Sequence, residues 1–299
     1  MPHAEIEALN NDTDLQNATL YITLEPCCHH GRTPPCTDAI LKSGIREVVI
    51  GMRDPDKKVE GKGIQILQAH GIQVREGVMK KECEFLNEAY IKHRKKGVPF
   101  VILKLASTLD GRLTRAKGEP RWISGPESRD HVHQIRNTVD AILVGLETVR
   151  KDNPQLTTRL KGQKGHDPIR VILDSRLRIS SKAKVLHLKS SAPTWVATTV
   201  SKKHRRLPWF QQKGIEILFC RKDSKGRVDL KDLLKQLGKR EIVQLLVEGG
   251  ATVAESFLKQ KLADRFILFF APSLMGETSI RQLSGRKMGP DLMVEGHIG

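Results

Sequence analysis

Apolar and polar positions along this chain follow two rhythms. Short runs rich in β-branched residues, TLYITL (19–24), REVVIGM (46–52) and IQVREG (72–77), read as strands. Between them lie segments with helical spacing. AEIEAL (4–9) is a helix start, CTDAILKS (36–43) is a helix closed by Gly44, and GKGIQILQAHG (61–71) is one ending at Gly71. KKECEFLNEAYIKHRKKG (80–97) reads as one long helix stopped by Gly97, with Pro99 just beyond. That stop sets a domain boundary, giving domains at 1–96 and 97–299. After it a second series opens: FVILKLAST (100–108), DAILVG (140–145), IRVILD (169–174), PTWVATT (193–199), IEILFC (215–220), IVQLLVEGG (242–250) and RFILFFAP (265–272). Strands alternating with helices at these lengths predict βαβ units and largely parallel sheets, so both domains are α/β.

Composition narrows the class. The 299 residues are 38% hydrophobic and 28% charged, as in ordinary globular proteins. No run of eighteen apolar residues predicts a membrane span, and MPHAEIEALN lacks the layout of a signal peptide. Five cysteines, an odd number with three of them clustered, do not make a disulfide framework, and a reducing, cytoplasmic setting is expected. The formal charge of +17 favours phosphorylated partners. Only 4% of residues are aromatic, and the basic runs KHRKK (92–96) and SKKHRR (201–206) lack interleaved rings, so a stacking platform for nucleic acid is not expected.

The segment LEPCCHHGRTPPC (24–36) concentrates three cysteines and two histidines. Thiolate and imidazole are zinc ligands, and a catalytic zinc keeps three protein ligands and an open position. His3-Ala4-Glu5 stands at a helix start, where residues two apart diverge by roughly 200°. The histidine can then bind metal while the glutamate reaches substrate from another direction. This is the H-x-E arrangement of zinc deaminases, in which the glutamate moves protons and is not a ligand. The matching element is Pro26-Cys27 with Cys36 heading a helix, whose N–H groups would stabilise the second thiolate. The gap between Cys27 and Cys36 holds eight residues, against two in the usual deaminase motif. Two plainer readings compete: a closed structural Cys/His site, and a His3 that is merely a terminal residue.

The second half has no G-x-G-x-x-G fingerprint. LLVEGGATVAESFL (245–258) is the better candidate for cofactor binding. An apolar strand ends at Glu248, Gly249 and Gly250 allow close backbone approach, and the helix from Ala251 points free N–H groups at a pyrophosphate. A plain strand-to-helix turn explains the same residues.

Together HAE (3–5), TLEPCCHHGRTPPC (23–36), GIREVVIGMRDP, LKLASTLDGRL, RWIS, AILVGLETVRKDNPQLTTR, RVILD and LLVEGGATVAESFL resemble the bifunctional riboflavin-biosynthesis deaminase/reductase family over nearly the whole chain. The resemblance implies an N-terminal cytidine-deaminase-like three-layer domain, followed by a dihydrofolate-reductase-like α/β domain. It implies a zinc-dependent deamination of a diamino-phosphoribosylamino-pyrimidinone, then NADPH-dependent reduction of its ribosyl group to ribityl. Zinc would be held by His3, Cys27 and Cys36, with Glu5 catalytic. Ala106, Trp122, Thr148, Asp152, Ser175 and the turn Gly250, Ala251, Thr252, Val253, Ala254, Glu255, Ser256 match cofactor positions. Pro120, Arg136, Leu156, Arg159 and Glu248 match substrate positions, and the two arginines are fork donors suited to phosphate. His29, His30 and Arg32 fit anion contacts.

The family pattern also differs here in places. Cys28 stands where the family has serine, and Pro120 replaces a serine that would contact substrate. The family has a further N-terminal segment with an N-P-x-V-G-type loop, and it continues past DLMVEGHIG. The chain is therefore expected to be shortened at both ends, with an incomplete deaminase domain and exposed sheet edges. A homo-oligomer is expected. The alternatives are a nucleic-acid or nucleotide deaminase, or a truncated paralogue with impaired deamination.

Overall fold

Buried parallel strands read as continuous apolar runs, and in the computed structural model each of the ten segments read as a strand carries one, while three further strands, over 273–274, 278–288 and 291–298, were not expected. The structure describes residues 3–10, 15–31, 33–112, 124–274, 278–288 and 291–298. Pro120 and Trp122 lie outside the described residues, as does Arg32. The chain divides into two compact units, Met1–Gly97 and Val98–Gly299.

The first unit runs α1 (Ala4–Asn10), β1 (Thr19–Leu24), α2 (Cys36–Lys42), β2 (Glu47–Met52), α3 (Lys62–Ala69), β3 (Gln73–Glu76), α4 (Lys80–Leu86) and α5 (Glu88–Lys96). Its sheet is parallel in the order β1-β2-β3, with Ile22 opposite Ile50 and Val48 opposite Val74. Leu20, Ile40, Val48, Ile50, Ile64 and Leu67 join the sheet to α2 and α3 in one core. β1 forms an outer edge, where Tyr21 is 69% exposed.

The expected single helix over 80–97 is two helices. Asn87, at φ −98° and ψ 10°, leaves helical geometry, and its side-chain amide donates to the Cys83 carbonyl at 2.9 Å. Cys83 sits so close to β2 that a Cβ on Gly51 would lie 2.2 Å from its sulfur. The following helix buries a different pair, Ala89 and His93.

The second unit runs β4 (Phe100–Thr108), α6 (Pro126–Thr138), β5 (Ala141–Gly145), α7 (Leu146–Asp152), β6 (Ile169–Leu173), β7 (Thr194–Thr198), α8 (Leu207–Gln212), β8 (Glu216–Phe219), α9 (Leu230–Gly238), β9 (Gln244–Glu248), α10 (Ala251–Lys259) and β10 (Arg265–Ala271). Three further strands, β11 (Ser273–Leu274), β12 (Thr278–Met288) and β13 (Asp291–Ile298), form a separate antiparallel sheet. The main sheet has the order β10-β4-β9-β5-β6-β7-β8, and its pairings are all parallel. Leu103, Leu143, Leu245 and Val247 pack against Leu233, Leu237 and Phe257. β5 to β8 advance in one direction, and β9 then returns to insert between β4 and β5. In open parallel sheets ligands bind at the strands' carboxyl ends where the winding direction changes. Here that place is the ends of β4, β9 and β5.

Candidate active sites

In the first unit, three side chains distant in sequence converge. His3 immediately precedes α1, Cys27 follows β1, and Cys36 is the first residue of α2. One ligand atom from each lies within 4.8 Å of the others. His3 Nδ1 is 3.2 Å from Cys36 Sγ and 3.5 Å from Cys27 Sγ. A tetrahedral zinc with ordinary bond lengths holds its ligand atoms roughly 3.5–3.8 Å apart, so the donor set fits that ion. No fourth His, Cys, Asp or Glu joins the group among the described residues, which suits an open catalytic position.

The helix N–H groups act differently from expectation. The Cys36 N–H donates to the Cys27 sulfur at 3.3 Å, and the Thr37 N–H donates to the Cys27 carbonyl at 3.2 Å. The start of α2 therefore stabilises the first thiolate, because the loop folds Cys27 back over it. The hydrogen bond from the Cys36 side chain pulls the Cys27 thiol down to about 5, against burial and helped by the backbone N–H and His3. The same bond, then burial and the nearby Glu5 charge, push Cys36 up. A divalent cation bound between the two sulfurs would hold both as thiolates and release their protons. Glu5, half-buried in the first turn of α1, lies beside this pair. Cys28 is not in the cluster, and His29 and His30 are exposed.

In the second unit, the expected residues gather at the carboxyl ends of the strands. Glu248 ends β9, Gly250 caps α10, and Thr148 lies in the first turn of α7. The Gly250 N–H donates to Thr148 Oγ1 at 3.2 Å, which ties the two helix starts together. Gly250 is exposed, and an added Cβ would meet nothing nearer than that oxygen, at 3.9 Å. The first N–H groups of α10 have no intrahelical acceptor. An open space before a helix start fits a cofactor pyrophosphate.

A close approach between two elements lies next to this space. A Cβ on Gly145 would lie 2.8 Å from Val253 Cγ2, so the end of β5 presses directly on α10. Ala254 faces the core, Glu255 pairs with Lys259, and the Ser256 hydroxyl donates to the Thr252 carbonyl. Ser175 Oγ accepts the Val228 N–H at 3.0 Å. Asp152 is exposed, and Ala106 is half-buried on β4.

Arg136 was expected as a phosphate donor, and the structure places its fork on a neighbouring carboxylate. Its Nε and Nη2 meet Glu248 Oε1 and Oε2 at 2.7 and 2.9 Å, and its Nη1 donates to the Thr157 carbonyl at 3.2 Å. The fork is consumed because Glu248, itself nearly buried, needs a counter-charge. Lys104 Nζ stands 3.6 Å from the same carboxylate. Burial pushes the Glu248 carboxyl up, but the Arg136 charge and hydrogen bonds, with Lys104 behind them, outweigh it and hold it low. Arg159 remains for an anion: among the described residues its Nη1 donates to neutral Thr157 Oγ1 at 2.9 Å and Gln155 Oε1 at 3.4 Å. Leu156, buried with φ at +59°, bends the loop that brings Thr157 and Arg159 to this place.

Sequence reasoning missed Lys104 and His133. Lys104 had a signal, a lone cation in the apolar run FVILKLAST. His133 accepts the Arg159 N–H on Nδ1 at 3.2 Å, and burial followed by the charges of Arg136 and Arg159 holds it below the ordinary histidine value. No sequence pattern marks that contact.

Residues 99–294 match the family described as the RibD C-terminal domain. The chain belongs to the RibD family. Residues 1–52 match the cytidine and deoxycytidylate deaminase zinc-binding region, the part that contains His3, Glu5, Cys27 and Cys36. The riboflavin biosynthesis protein RibD of Aquifex aeolicus is 43% identical, over 98% of this chain and 80% of its own length. The solved structure of Acinetobacter baumannii RibD, form 1, matches with a TM-score of 0.81 and 33% identity, covering 100% of this chain and 86% of its own. A Thermotoga maritima protein described as a diaminohydroxyphosphoribosylaminopyrimidine deaminase/5-amino-6-(5-phosphoribosylamino)uracil reductase matches at TM-score 0.78 and 37% identity, over 98% and 84% of the two chains. The fold is thus a cytidine-deaminase-like domain joined to a RibD reductase domain.

Proposed function

We infer that this chain carries out two successive steps of riboflavin biosynthesis, a zinc-dependent deamination in residues 1–96 and an NADPH-dependent reduction in residues 97–299. The convergence of His3, Cys27 and Cys36 beside Glu5 carries the first half. Zinc bound there supplies Lewis acidity and brings the pKa of water toward neutrality. Glu5 carries both protons of the water in turn, the first to the pyrimidine ring nitrogen and the second to the departing amine. Water oxygen replaces the exocyclic nitrogen, which leaves as ammonia.

In the second half, the exposed start of α10 and Thr148 hold the cofactor pyrophosphate. NADPH supplies the hydride; the chain's part is to orient the sugar carbon against it. Arg159 holds the substrate phosphate, and Glu248, fixed by Arg136 and Lys104, offers its remaining lone pairs to substrate hydroxyls or amines. No described helix is long and apolar enough to cross a membrane, and the reading includes a cytoplasmic homo-oligomer.

The test supplies the phosphorylated diaminopyrimidine and follows ammonia release and NADPH oxidation separately. Glu5→Gln is expected to keep zinc and NADPH oxidation on the deaminated substrate while losing about 10²- to 10⁴-fold in ammonia release. Near-parent ammonia release from that variant would remove Glu5 from the mechanism.

A further inference from the structure

Glu25 belongs to neither of the residue sets above, yet its surroundings are unusual. The residue is 2% exposed, and buried carboxylates are costly without compensation. Compensation comes from backbone donors. Oε2 accepts the N–H groups of Asp54 at 3.1 Å and Gly61 at 2.9 Å, and Oε1 accepts those of Gly63 at 3.0 Å and Ile64 at 3.4 Å. Three of these four donors form the start of α3, where Gly61 adopts φ +83°. The fourth begins the loop after β2. One carboxylate therefore gathers two segments around the residue that lies two before Cys27.

A second contact fixes the same place. A Cβ on Gly63 would lie 2.3 Å from the Pro26 carbonyl oxygen, so the first turn of α3 rests directly on the peptide leading into Cys27. On its other side, Cys27 is held by α2 through the Cys36 and Thr37 N–H groups. The Cys27 sulfur is thus suspended between two helix starts, and Glu25 provides the attachment to one of them.

We propose that Glu25 is a positioning residue of the metal centre: by binding the start of α3 it sets where the Cys27 sulfur stands, and zinc affinity and coordination depend on that attachment. The proposal rests on the reading that His3, Cys27 and Cys36 hold zinc. Glu25 touches neither metal nor substrate; it acts through the backbone of Pro26 and Cys27. Groups that orient metal ligands in this indirect way contribute about 10- to 100-fold to metal affinity.

Two variants of the full chain approach the contact from opposite sides. Glu25→Gln turns one acceptor oxygen into a donor facing backbone N–H groups. Gly63→Ala keeps the carboxylate but pushes α3 away from Pro26. Zinc affinity is measured by competition with a chromophoric chelator, and ligand geometry by the visible spectrum of the cobalt-substituted protein. Hydrogen exchange across β1, β2 and β3 monitors the fold, and NADPH oxidation monitors the second unit. Both variants are expected to bind zinc at least about tenfold more weakly and to show an altered cobalt spectrum. Strand protection and NADPH oxidation should stay at parent levels. Parent-like affinity and spectrum in both variants would overturn the proposal. So would zinc loss that comes only with loss of protection throughout the three strands, because Glu25 would then serve general stability. A parent chain that binds no zinc would overturn the metal reading itself.

Discussion

Arg136 and Glu248 stand 112 residues apart in the chain and meet in a two-point ion pair at 2.7 and 2.9 Å, each side chain only 12% exposed. The pair joins α6 to the end of β9 and fixes the orientation of a carboxylate at the proposed reductase site. Arg136→Ala should strand that carboxylate with Lys104 alone and cost about 3–5 kcal/mol, read by urea unfolding of the full chain. Adding Glu248→Gln should recover part of the loss, because it removes the stranded charge. A cost under about 1 kcal/mol would place the pair with exposed ones and undo this account.

The metal set separates the three clustered cysteines. Cys27→Ala and Cys36→Ala should each lose most of the zinc measured by elemental analysis, and Cys28→Ser should keep about one ion per chain. Cys28 lies outside the group of converging atoms, and burial with the Glu25 charge pushes its thiol up, away from the thiolate form that binds metal. Zinc loss from Cys28→Ser would reassign the ligands.

Much of this was legible in the sequence, because it rests on local rhythm or on motif spacing. TLYITL and FVILKLAST became strands over those same residues: the first is an edge strand of β-branched and aromatic residues, the second a largely buried run inside a parallel sheet. His3, Cys27 and Cys36 could be grouped because their residue types admit few shared purposes. What stayed hidden depends on contacts that leave no local trace. The helix break at Asn87 accompanies a turn in which its side-chain amide bonds the Cys83 carbonyl. The fork of Arg136 is filled by a glutamate more than a hundred residues away. Glu25 binds backbone N–H groups 29 to 39 residues further on, and a backbone donor has no signature in its side chain.

Gly250 and Gly145 should respond in opposite ways. Gly250→Val places its side chain in open space before α10, so folding should be preserved while NADPH binding weakens by about tenfold or more, read by fluorescence titration. Gly145→Ala instead drives a methyl group to 2.8 Å from Val253, so the thermal midpoint should fall because α10 must shift. If Gly250→Val binds NADPH like the parent, the cofactor lies elsewhere.

Arg159 and His133 give the pH-dependent prediction. The imidazole accepts the Arg159 N–H on Nδ1, so it is held neutral with its proton on Nε2. Burial first, then the charges of Arg136 and Arg159, lower its pKa below 6.5. A lowered folded value means that the contribution to stability is fully present above the unfolded pKa and is lost as pH falls through the folded one. Protonation would cost Nδ1 its acceptor role and add a third positive charge beside two arginines. Histidine NMR should therefore show a His133 midpoint below 6.5, and Arg159→Ala should move it upward by removing one of those charges. The same variant should raise the reductase KM for substrate about ten- to a hundredfold, the scale of one lost charge-assisted contact, with little effect on NADPH affinity. A midpoint at or above 6.5 in the parent would show that the electrostatics of this corner are misassigned, and an Arg159→Ala enzyme that loses NADPH and substrate equally would show that Arg159 is not the phosphate contact.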